Sequence, residues 1–184
     1  MRLRRFYLFI GVLLVVLAFL AWGLWSQPYV SIVGTPHDRR LFNVKSRIEQ
    51  PAVLEYWIEY YYNGEPMGSV LTSSTQLLPR QNGLPSRHQL AIIWSMPQEN
   101  LFSWTFTFDG QPTQATGELL LPKADQGSGL FPGQSIVIKS GDSHTLAVYG
   151  YGPVRAELSG NSLEAILDHM THVCVLRVRL DWDR

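Results

Sequence analysis

Cysteine is all but missing from this chain: Cys174 stands alone in 184 residues, so no intrachain disulfide can form. Any domain built here has to stand on its hydrophobic core. Cys174 itself sits in the apolar run Val173-Cys174-Val175-Leu176 and reads as a small buried hydrophobe rather than a reactive thiol. Signature motifs are missing too. Gly127-Ser128-Gly129 is not followed by the Lys-Ser/Thr of a phosphate-binding loop, there is no Gly-x-Ser-x-Gly elbow, and no His-Glu-x-x-His pair. These absences argue against P-loop, α/β-hydrolase and zincin chemistry.

Charge is missing from one stretch above all. Phe6 to Trp25 holds about twenty residues without an Asp, Glu, Lys or Arg, and a helix of that length, at ~1.5 Å per residue, covers the roughly 30 Å hydrocarbon core of a bilayer. Arg2, Arg4 and Arg5 precede it and Ser26-Gln27-Pro28-Tyr29 follow it uncharged, which by the positive-inside rule places the amino terminus in the cytoplasm and the remainder outside. A cleaved secretory signal is the competing reading. The apolar run is longer than the ~7–15 residues usual for a signal, and the sites ending at Ala18 and Ala21 have Val16 and Phe19 where a small residue belongs. The expectation is therefore a cytoplasmic basic start (1–5), a transmembrane signal-anchor helix (6–25) in contact with the lipid bilayer, and an extracytoplasmic β-rich domain (28–184).

Positive charge is in short supply beyond the anchor. Twelve basic residues face fifteen acidic ones there, a net of −3, which argues against electrostatic binding to nucleic acid or to anionic lipid.

What is present is alternation. Leu54, Tyr56, Ile58, Tyr60 and Tyr62 fall on one side of a strand and Glu55, Trp57, Glu59 and Tyr61 on the other; Phe102, Trp104, Phe106 and Phe108 alternate with Ser103, Thr105 and Thr107. Asn63-Gly64 and Asp109-Gly110 follow these runs and predict tight hairpins into Met67–Leu77 and Thr116–Leu121. Further strands are expected at Val30–Gly34, Leu41–Ile48 and Gln89–Trp94. Ser135–Lys139 and Thr145–Tyr149 form a third hairpin-like unit, and Pro122 to Gly133 reads as a loop. Val173–Leu180, apolar at both parities before Arg177 and Arg179, suits the middle of a sheet. One helix is expected, Ser162 to about His172, capped by Asn161 with Glu164 three residues on. The fold class is all-β: an antiparallel β-sandwich or partly open barrel of about eight or nine strands with one short C-terminal helix.

Candidate sites are sparse. Asp168, His169 and His172, with Cys174 nearby, form the one potential metal cluster, though without a further ligand group; histidines closing a helix are equally accounted for by its carbonyl end. Asp142-Ser143-His144 sets three catalytic residue types side by side, but neighbours on an extended chain point apart and cannot form a relay. Glu55 and Glu59 share a strand face as ordinary solvated acids. Trp57 and Tyr61 lie on that same face, opposite the apolar one, so that strand is covered twice or it presents aromatics for binding. No cofactor is implied. The composition favours a noncatalytic, membrane-tethered β-domain that binds a partner protein or a cell-envelope component. The alternatives are a carbohydrate-binding module using Trp57 and Tyr61, or an envelope hydrolase with scattered catalytic residues.

Overall fold

The computed structural model describes residues 10–17, 28–35, 38–79, 84–98, 101–121, 127–130, 135–151 and 162–182. The described residues are mostly antiparallel β-sheet with two helices, α1 (10–17) and α2 (Leu163–His169). Among the described residues no helix is long and apolar enough to cross a membrane. Residues 10–17 are the helical part of the expected span; 6–9 and 18–25 lie outside the described residues.

Eleven strands are described rather than eight or nine: β1 (Tyr29–Thr35), β2 (Asp38–Arg47), β3 (Ala52–Tyr62), β4 (Glu65–Leu77), β5 (Ser86–Gln98), β6 (Leu101–Phe108), β7 (Gln111–Leu120), β8 (Gly127–Leu130), β9 (Ile136–Ile138), β10 (Ser143–Tyr151) and β11 (His172–Asp181). The first sheet runs β7-β6-β5-β2-β1-β9 and the second β4-β3-β11-β10-β8. Each lends one face to a shared core. Val30, Ile32, Phe42, Val44, Leu90 and Phe106 come from the first, and Leu54, Tyr56, Ile58, Cys174, Leu176 and Val178 from the second. Tyr56 and Phe106, both fully buried, meet edge to face across the layers with centroids 4.8 Å apart, a geometry that adds about 0.5–1.5 kcal/mol to their area burial.

The two hairpins form where expected. Asn63 (φ 51°) and Gly64 (φ 83°) join β3 to β4, and Asp109 (φ 51°) and Gly110 (φ 77°) join β6 to β7, the paired positive φ of a type I′ turn. The third hairpin does not. β9 pairs with β1 in the first sheet and β10 with β11 and β8 in the second, because after β9 the chain turns into the other layer. Ser140 bridges Leu180 and the Gly141 N–H donates to the Leu180 carbonyl at 2.9 Å. The expected 122–133 loop is corrected as well, since Gly127–Leu130 is an edge strand against Val148–Tyr151.

β11 is central, between β3 and β10. Its two parities serve different ends: Cys174, Leu176, Val178 and Leu180 enter the shared core, while Val173 and Val175 join Val148, Ile166 and Met170 in a smaller cluster beneath α2. α2 packs closely there. A Cβ on Gly150 would lie 2.8 Å from Met170 Cγ, so glycine is what admits the helix. The helix is shorter than expected. Ser162 caps it, accepting from the Ala165 N–H at 3.2 Å, and it ends at His169; Asn161 lies outside the described residues.

Candidate functional site

Trp57 and Tyr61 fall, as expected, on the side of β3 turned away from the shared core, in register with Arg177 and Val173 of β11. Both are half-buried. Between them stands Glu59, and it gathers three donors: Trp57 Nε1–H donates to its Oε1 at 2.9 Å, Tyr61 O–H to its Oε2 at 3.0 Å and Arg177 Nε–H to Oε2 at 3.1 Å. Arg177 Nη1 also donates to Thr145 Oγ1 at 2.6 Å. One step along, Arg179 donates to Glu55 through Nε at 3.0 Å and Nη2 at 2.5 Å. Glu55 and Glu59 are thus half-buried, arginine-paired acids rather than plain solvated ones.

The electrostatics follow the bonds. Burial alone would raise the Glu59 carboxyl, but donors from Trp57, Arg177 and Tyr61 outweigh it and hold it below the ordinary carboxylate range. The anion is thereby favoured, and the indole N–H and the phenol O–H are both tied to one carboxylate. α2 covers one end of this face, where Tyr61 packs against the cluster that holds Ile166 and Met170.

The metal candidates separate. Asp168 and His169 stay on α2, with Asp168 exposed and His169 in the last turn, whereas His172 opens β11 and turns inward. There its Nδ1 lies 2.7 Å from the Tyr60 hydroxyl and its ring tilts against Tyr62 at 5.3 Å. Burial lowers the His172 pKa by disfavouring the charged imidazolium. Among the described residues no three His, Cys, Asp or Glu side chains converge on a metal position. Cys174 is fully buried, and burial pushes its thiol up to about 12. Ser143 and His144 align with Arg179 and Val178, on opposite faces of the second sheet.

Sequence reasoning missed one constellation. On the inner face of the first sheet Ser46 Oγ lies 2.5 Å from Ser86 Oγ, His88 Nε2 lies 3.1 Å from Ser86 Oγ, and His88 Nδ1 lies 2.7 Å from Asp109 Oδ2. Asp109 Oδ1 accepts the Gln89 N–H at 2.8 Å. Since the carboxylate can only accept, Nδ1 donates, and Nε2 faces the Ser86 hydroxyl, which also donates to the Ser46 carbonyl at 3.4 Å. The connectivity is that of a Ser-His-Asp relay. Its exposure runs the other way, however: Ser86 is 5% exposed, the His88 side chain 24% and the Asp109 side chain 48%. A relay for acyl transfer needs its nucleophile at the substrate and its acid inside. Here the serine is innermost, with its oxygen spent on Ser46, and the chain of bonds pins the β6–β7 turn to β5. The Ser86/His88 spacing and the Asp-Gly turn were visible in sequence; their convergence depended on strand register.

No protein-family model, curated protein or solved structure matches the chain.

Proposed function

We propose that the chain is a membrane-tethered, noncatalytic β-sandwich module, held outside the cytoplasm by residues 6–25, that binds a partner protein or envelope component through the Trp57/Tyr61 face. One observation carries this: Glu59 fixes both aromatic tips while Arg177 fixes Glu59, so two half-exposed rings are held in place before any partner arrives. Rings already immobilised lose little side-chain entropy on binding. The inverted exposure of Ser86, His88 and Asp109 supports the noncatalytic reading.

Crosslinking in intact cells tests it. The wild type should yield a discrete crosslinked partner, and the Trp57→Ala/Tyr61→Ala double variant should lose it while keeping a folded second sheet by circular dichroism. Identical crosslinks from both would overturn the assignment. Loss of polysaccharide pull-down by the same variant, with protein crosslinks unchanged, would move the function to carbohydrate binding. Labelling of Ser86 by a fluorophosphonate would restore the hydrolase.

A further inference from the structure

Charge balance over the whole domain hides a local cluster. Lys45 pairs in register with Arg87 on β5 and with Ser31 on β1; Ser31 pairs in turn with Val137 on β9, and Arg47 with Tyr29. These positions alternate with the core-facing Val30, Val44, Ser46 and Ile138 and therefore lie on the outer face of the first sheet. Lys45, Arg87 and Lys139 are exposed there and Arg47 is half-buried. Lys45 Nζ lies 5.9 Å from the centre of the Tyr29 ring. At the margin of the cluster a cleft of about 680 Å³ opens between β1, β9 and the end of β11, walled by Tyr29, Ser31, Val137, Lys139, Ser140 and Trp182. Its lining combines an ammonium, hydroxyls and apolar surface, with Val137 54% exposed. The acids nearest in the chain are Glu49 beyond Arg47, Asp142 beyond Lys139 and Asp181 beside Trp182.

Position singles out the occupant. Pro28 and Tyr29 are both on the cleft wall, and Pro28 comes three residues after Trp25, the end of the uncharged run. At ~3.5 Å per residue the wall lies within about 10 Å of that end. We propose that this cleft and the adjoining Lys45/Arg87/Lys139 face hold the headgroup of an anionic phospholipid from the bilayer in which the chain is anchored. The phosphate meets Lys139 and the serine hydroxyls, and Val137 and Trp182 meet the glycerol and upper acyl chain. The proposal rests on the membrane-anchor reading, and it reverses the expectation drawn from the net charge of −3. Net charge sums over the surface, whereas lipid responds to the few cations within a Debye length of it.

The test uses the full chain carrying Val137→Cys labelled with a polarity-sensitive fluorophore. Cys174 is buried with its thiol pushed up to about 12, so labelling is confined to position 137. Protein is reconstituted into vesicles of phosphatidylcholine alone or mixed with phosphatidylglycerol. The expected result is a blue-shifted emission in the anionic vesicles only, lost in the Lys45→Gln/Arg87→Gln/Lys139→Gln variant and lost at high salt. Equal emission in both vesicle types, from protein that still floats with them, overturns the headgroup site and leaves the anchor standing. Protein that does not float with either overturns the anchor, and the site with it. A shift reproduced in phosphatidylcholine vesicles by added inorganic phosphate overturns the lipid as the occupant.

Discussion

The outward faces of the two sheets handle charge in opposite ways. On the second sheet each arginine of β11 meets a glutamate of β3, Arg177 with Glu59 and Arg179 with Glu55, and α2 shields one end. On the first sheet the neighbouring strands contribute Lys45, Arg47, Arg87 and Lys139, all of one sign. No described helix packs on that face. Alternation alone places charged residues on both. What differs is whether register brings opposite or like charges together, and like charges on adjacent strands cost stability unless something outside compensates. One face pairs its charges strand to strand, and the other sets cations of one sign on neighbouring strands.

Substitutions should separate the two faces in a graded series. Gly150→Val strikes the covered end hardest, because its side chain would enter the space of Met170 and Ile166 and lift α2 from the sheet. We expect a loss of about 3 kcal/mol, read as a melting temperature lower by roughly 6–12 °C. Arg177→Ala leaves the half-buried Glu59 with its neutral donors only and should cost about 1–2 kcal/mol in urea titration. Arg179→Ala should cost less than about 0.5 kcal/mol, since that side chain is 42% exposed.

Acid should reveal two steps. Burial lowers the His172 pKa from 6.5, so below that pH the unfolded chain takes up a proton before the folded one does, and stability falls until the folded value is passed. Glu59, held below its ordinary 4.5, contributes stability that is whole above that pH and lost as pH falls through the folded value. His172→Gln should flatten the upper step and Glu59→Gln the lower one in stability measured against pH. The smallest effect is expected on the other sheet. Lys45→Gln and Arg87→Gln should change stability by no more than about 0.5 kcal/mol, or raise it slightly by relieving repulsion, in the same urea titration. A loss as large as that of Arg177→Ala would erase the contrast between the faces.

Much of the scaffold was legible because it is local. Alternation in Leu54–Tyr62 and Phe102–Phe108 set the core face, the Asn-Gly and Asp-Gly pairs set two hairpins, and the change from valine to arginine along Val173–Arg179 marked where a covered strand becomes an open one. The Trp57/Tyr61 face was legible for the same reason. Its fastening was not, because Arg177 reaches Glu59 from 118 residues away. Long-range register also hid the Ser46–Ser86–His88–Asp109 chain and the basic face. The β9–β10 hairpin failed on a different ground. Two short apolar runs around Gly141-Asp142 look like a hairpin whether they pair with each other or turn into separate layers, and Leu180 decided the matter by offering its carbonyl to Gly141.

The central place of β11 has a bearing on how the chain is made. β3 and β4 can zip together as soon as they emerge, but the strand that joins them to β10 is synthesised at the far end of the described order. Until then the β3 backbone stands with one row of amides and carbonyls open, next to an inner face of tyrosines and isoleucine. A nascent chain would pass through a half-zipped stage vulnerable to wrong partners, with the ten-residue β11 acting as the closing zip.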